Sequence, residues 1–108
     1  MGLSTHVLDT ATGRPAVGVP VLVQRLAVDG WREVGRRQTD EDGRAADLVS
    51  ASDYVAGRYR LLFDTSTVHG PDAWLPSVTV EFIVADAAAR LHVPLLLSPF
   101  GYTTYRGS

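Results

Sequence analysis

The groups in this chain best suited to chemistry near neutral pH are three histidines, an arginine beside a tight turn, and an aromatic, hydroxyl-bearing tail. His6 and His92 fall in extended, alternating segments, whereas His69 falls in His69-Gly70-Pro71-Asp72. Imidazole titrates close to neutral pH and serves as a general base or a metal ligand. A lone histidine on a strand is more often a structural group than a catalytic one. Two of them on separate strands, however, allow paired imidazoles to face one substrate. No histidines stand at the spacings of local metal motifs and there is no cysteine, so a metal site would need assembly from distant segments. No metal is expected. His69 reads as a solvated loop side chain.

Arg44 follows the turn signal Asp42-Gly43. It is either a surface charge or a fixed guanidinium fork that grips a planar ligand rich in oxygen and nitrogen. The serine-nucleophile patterns Gly-x-Ser-x-Gly and Ser-x-x-Lys are missing, as are glycine-rich phosphate loops. The segment from Ser98 to Ser108 stays aromatic and strand-like almost throughout. Chain ends fray unless something ties them down. Tyr105-Arg106-Gly107-Ser108, with a phenol, a guanidinium and a hydroxyl, reads as the lining of a site.

Such residues need a scaffold, and composition limits what it can be. At 108 residues the chain forms one domain, 1–108, and buries about 65% of its unfolded surface. That supplies one core and no deep private cavity. A hydrophobic fraction of 45% excludes disorder, and ten basic against twelve acidic residues exclude a nucleic-acid or anionic-membrane footprint. No apolar run is long enough to span a bilayer. Met1 to His6 lacks the basic and apolar regions of a secretory signal, and nothing beyond Met1-Gly2 supports a lipid anchor. The expected location is the cytoplasm.

The dominant period is two. Leu3, Thr5 and Val7 share one face of a strand, leaving Ser4, His6 and Leu8 on the other. Val19, Val21 and Val23 alternate next, followed by the hairpin signal Asp29-Gly30 and then Trp31 to Val34. Gly57 to Asp64 puts Tyr59, Leu61 and Phe63 opposite Arg58 and Arg60. Residues 65–75 have room for a short helix. Val78 to Val84 alternates most cleanly, and Leu91 to Leu97 and Tyr102 to Arg106 complete the strands. Regularly spaced turn signals between them indicate an all-β, two-sheet antiparallel sandwich of about eight strands.

Four segments together resemble the 5-hydroxyisourate hydrolases, the transthyretin-related enzymes of urate breakdown. They are Ser4 to Asp9 with Gly13 to Ala16; Thr39 to Arg44; His92 to Pro99; and the terminal Tyr105 to Ser108. The resemblance covers the whole chain in order. Tyr-Arg-Gly-Ser is its most specific part, since the hormone-carrying transthyretins lack it. It implies a transthyretin-type sandwich assembled as a homotetramer, a dimer of dimers around a central channel. It implies catalytic roles for His6, His92, Arg44 and Ser108, and substrate contacts from His6, Arg44, Tyr105, Arg106 and Gly107, with no cofactor. The reaction would open the N1–C6 lactam of 5-hydroxyisourate to give 2-oxo-4-hydroxy-4-carboxy-5-ureidoimidazoline.

The residues leave the choice of general base between His6 and His92 open. The rival class is a carrier of small aromatic ligands on the same tetramer, which would need an open apolar channel where Tyr105 stands. A secreted or structural sandwich module would not need the terminal tetrapeptide. Two positions depart from the expected pattern. Pro94 lacks an N–H inside a strand expected to be central, which predicts a bulge or a water. Arg90 stands two residues before His92, where many relatives carry a further histidine.

Overall fold

Alternating burial builds both layers. The computed structural model describes residues 2–107, and within it the first half contains β1 (Leu3–Asp9), β2 (Arg14–Pro15), β3 (Pro20–Ala27), β4 (Gly30–Gln38) and β5 (Arg44–Ala45). The second half contains β6 (Gly57–Phe63), a one-turn helix α1 (Ser66–His69), β7 (Val78–Val84), β8 (Leu91–His92), β9 (Leu95–Ser98) and β10 (Gly101–Thr104). Strands β4-β3-β6-β7 form an antiparallel sheet. In the other sheet β1 pairs antiparallel with β2 and β5, and β10 pairs antiparallel with β9. β1 runs parallel to β8 and β9, the two exceptions to the antiparallel rule.

The two sheets bury their apolar faces against each other. Leu3, Val7, Leu95 and Leu97 meet Val21, Val23, Tyr59, Leu61 and Phe63, all buried. Each such side chain contributes roughly 1.5–3 kcal/mol relative to exposure. Thr5 lies among them because its hydroxyl donates to the Val93 carbonyl at 2.6 Å. The opposite face of β1, carrying Ser4, His6 and Leu8, is half-buried and points out of the sandwich. On the other layer Arg58 and Arg60 are outside too, bonded to Glu81 and Gln24.

Local expectations held with small displacements. The hairpin turn falls on Val28-Asp29, with Ala27 paired to Gly30, one residue earlier than the Asp29-Gly30 signal. A short helix does occupy the 65–75 region. The expected strand from Leu91 to Leu97 is interrupted at Val93-Pro94, and there is no bulge. Leu91 opposite Leu3 and Leu95 opposite Val7 keep one register. Side-chain hydroxyls span the break instead: Thr5 donates to Val93 O, and Thr104 to Pro94 O at 2.8 Å. Among the described residues there are ten strands against the expected eight or so, a count raised by this break and by the two-residue pairings β2 and β5.

The last strand also ends early. β10 stops at Thr104, not at Arg106, and the chain passes the Pro94 break before Gly107 pairs with His92. The Gly107 N–H donates to the His92 carbonyl at 2.7 Å, in the register already set by Leu95 and Thr104. No helix among the described residues is long and apolar enough to cross a membrane.

Candidate active site

β1 is the strand on which the site is assembled. Its outward residues Ser4 and His6 are two apart, and each receives a different neighbour. β5 sets Arg44 opposite His6, while β8 sets His92 opposite Ser4. Directly paired residues project from the same face of a sheet. Four polar side chains from three segments therefore share one outer face.

A tight turn delivers Arg44. Gly43 has φ +73°, and a Cβ there would lie 2.5 Å from the Val7 carbonyl. Only glycine lets the turn close that tightly onto β1. The Asp40 carboxylate accepts from the N–H groups of Asp42 and Arg44, which fixes the turn and lowers the Asp40 pKa, chiefly through the Arg44 N–H. The same turn presents the Asp42 carbonyl to His6, whose Nε2–H donates to it at 2.9 Å. A carbonyl only accepts, so Nε2 of His6 bears a hydrogen, and in the neutral ring Nδ1 is the atom that holds the lone pair.

His92 is held on two edges. Its Nδ1 lies 2.9 Å from Ser4 Oγ. On the other edge the backbone of Gly107 passes so close that a Cβ there would stand 2.8 Å from His92 Cδ2. Nε2 is the remaining polar atom of the ring. Burial, then the neighbouring His6 and Arg44, push the His92 pKa below its ordinary value, so the imidazole is neutral at pH 7. Beside it opens a cleft of about 290 Å³ lined by Ser4, Arg44, Ala46, Arg90 and His92. That is near the low end of the range for small-molecule pockets.

The structure thus gathers His92 and Arg44 at the cleft and sets His6 beside it, paired with Arg44. Tyr105 and Arg106 are exposed and line a separate groove between β7 and β10. Gly107 touches His92, and Ser108 lies outside the described residues. His69 departs from expectation: it is not a solvated loop side chain. It ends α1 and its Nε2 lies 3.0 Å from Asp9 Oδ1, with both side chains largely buried. Among the described residues no cluster of three metal-ligating side chains exists. The residue that sequence reasoning passed over is Ser4. The available signal was its spacing, two residues before His6 and so on the same face.

The outward site on a central strand of a two-sheet sandwich, with a shared face of histidine and arginine, defines a class of transthyretin-like folds. Residues 3–107 match the model of the HIUase/Transthyretin family, and the chain belongs to that family. Within it the chain groups with 5-hydroxyisourate hydrolases. The mouse enzyme of that name is 43% identical over 98% of this chain and 94% of its own length. 5-hydroxyisourate hydrolase 2 of Rhizobium meliloti is 44% identical over 98% and 95%. Among solved structures, Klebsiella pneumoniae 5-hydroxyisourate hydrolase superposes with a TM-score of 0.83 at 35% identity, covering both chains fully. Sea bream transthyretin in complex with thyroxine gives 0.89 at 31% identity, covering 99% of this chain and 95% of its own.

Proposed function

We propose that this chain hydrolyses 5-hydroxyisourate by adding water to C6 and breaking the N1–C6 bond, giving 2-oxo-4-hydroxy-4-carboxy-5-ureidoimidazoline. The observation that carries the reading is His92 at the cleft wall, its Nδ1 bonded to Ser4 Oγ and Arg44 lining the same cleft. In its basic form His92 donates Nδ1–H to Ser4 Oγ and offers the Nε2 lone pair to water. The proton passes to Nε2 as the water oxygen bonds to C6. Arg44 stabilises the resulting oxyanion, the step at which preorganised charge contributes most. Collapse breaks N1–C6, and the imidazolium returns its proton to N1.

His6 has a different part in this scheme. Its Nε2–H is committed to the Asp42 carbonyl, so its Nδ1 accepts from a ring N–H of the substrate and orients it. On the tail side Gly107 bounds the His92 ring, while Tyr105 and Arg106 stand at the neighbouring groove. The protein needs no cofactor for this chemistry and acts in the cytoplasm as one domain.

We also assign it a homotetramer. β7 and β10 each end a sheet, and the exposed side chains Ile83, Tyr102 and Tyr105 lie on or just beyond these edges. Unpaired edges of this kind invite closed pairing with a second copy. An active 12 kDa-scale monomer in light scattering would overturn the assembly. The activity is tested by adding the protein to freshly generated 5-hydroxyisourate and following its ultraviolet absorbance. Accelerated decay is expected; decay at the spontaneous rate would reject the reading in favour of a ligand carrier.

A further inference from the structure

We propose that Arg90 is a second anion-holding residue of this cleft, placed to receive the carboxylate that lactam opening creates; the proposal rests on the hydrolytic reading above. Arg90 stands two residues before His92, between the turn at 86–89 and the start of β8. It lines the His92 cleft and also an adjoining depression of about 210 Å³ beside Leu3, Ser4 and Asp47.

Arginines elsewhere in this protein are mostly engaged. Arg36 holds Glu33, Arg58 holds Glu81, Arg32 reaches Asp29, and Arg60 bonds Gln24 while covering Trp31. Arg25 and Arg37 donate to backbone carbonyls. By contrast, the guanidinium groups of Arg44, Arg90 and Arg106 make no hydrogen bond or ion pair among the described residues. Arg44 and Arg90 line the His92 cleft, and Arg90 and Arg106 share a depression beside Gly107. Arg14, on β2 opposite Asp9, also lacks such a partner, but the other three line the depressions around His92 and Gly107.

The reaction supplies what they lack. A neutral ring amide becomes a carboxylate as C6 gains the water oxygen and N1 leaves with a proton. The acid then releases its remaining proton to solvent. A carboxylate has two acceptor oxygens in a plane, which suits a guanidinium fork. Arg44 meets the oxyanion first, and Arg90 meets the second oxygen once the amide nitrogen has gone. Its interaction therefore strengthens as charge develops and is weak in the substrate complex.

Two stable probes separate this idea from the catalytic reading: orotate, a planar lactam bearing a carboxylate, and uracil, the same ring without it. Their binding to the full-length protein is followed by chemical-shift titration. The wild type is expected to prefer orotate about tenfold, Arg90→Gln about twofold, and Arg90→Lys an intermediate amount. In turnover, Arg90→Gln should weaken product inhibition about fivefold with KM nearly unchanged. An orotate preference equal in wild type and Arg90→Gln, or absent from both, would overturn the proposal, as would KM and product inhibition changing together. Loss of orotate preference in Arg90→Gln alongside a wild type that does not turn over 5-hydroxyisourate would keep the carboxylate site and remove only the hydrolytic reading.

Discussion

Ser4 Oγ stands 2.9 Å from Nδ1 of His92, joining two residues 88 positions apart through neighbouring parallel strands. The contact fixes the ring's orientation, and with it which nitrogen faces the cleft. Ser4→Ala is expected to lower kcat about tenfold while leaving KM nearly unchanged, because the substrate still meets Arg44 and His6. Ser4→Thr should recover most of the loss. Steady-state kinetics on both variants decide it, and an unchanged kcat in Ser4→Ala would separate Ser4 from the chemistry.

Removing the base itself should cost more. His92→Ala is expected to reduce kcat on the order of 100-fold or more, the usual scale for general-base catalysis. His6→Ala removes an orienting acceptor and should lower kcat/KM by at least about tenfold. Arg44→Lys replaces a planar fork with a point charge and should also lose most activity. Circular dichroism must show each variant folded, and near-wild-type turnover by folded His92→Ala would reject the assignment.

The acid limb of activity follows from the His92 environment. Burial, then His6 and Arg44, depress its pKa, so the imidazole stays basic below the ordinary histidine value of about 6.5. The kcat/KM profile should fall off on the acid side below that value. Arg44→Gln removes one of the smaller causes, so the His92 pKa should rise only part of the way back. An NMR titration of the His92 ring reads this directly, and a wild-type midpoint at or above 6.5 would contradict it.

Gly107 can lie against His92 only because it has no side chain. Gly107→Ala would push a methyl to within 2.8 Å of Cδ2. The ring or the tail must move, and turnover should fall about tenfold or more while the core is untouched. Deleting residues 105–108 should abolish activity yet leave a folded protein, since β10 ends at Thr104. Turnover measured beside oligomer mass and dichroism distinguishes these outcomes. Loss of fold on truncation would make the tail structural.

His69→Ala should be silent in turnover and visible in stability. Burial alone would raise the Asp9 pKa, but the hydrogen bonds from His69 and the Ala11 N–H outweigh it and lower the value. With both side chains about 13–14% exposed, losing the partner should cost about 1–2 kcal/mol. A carboxylate whose folded pKa is depressed contributes stability above its unfolded value of about 3.9, and that contribution is lost as pH falls through the folded value. Urea titrations should therefore show the wild-type advantage at pH 7 shrinking at the acid end. An equal gap at both pH values would assign the loss to packing alone.

Alternation in β1 made much of this legible in the linear chain. Leu3, Thr5 and Val7 against Ser4, His6 and Leu8 is a property of period two, fixed by local backbone geometry wherever the strand packs. The same holds for Tyr59, Leu61 and Phe63, and for the turn at Asp42-Gly43 that carries Arg44. Tertiary structure alone decided which segments lie beside β1. Pairing partners and register are set by cross-strand contacts between distant residues, and no local pattern encodes them. That is why Ser4 was passed over until His92 arrived opposite it, and why His69 looked solvated until Asp9 met it. The Pro94 gap has the same origin, since two hydroxyls from β1 and β10, remote in sequence, span it without shifting the register that places His92.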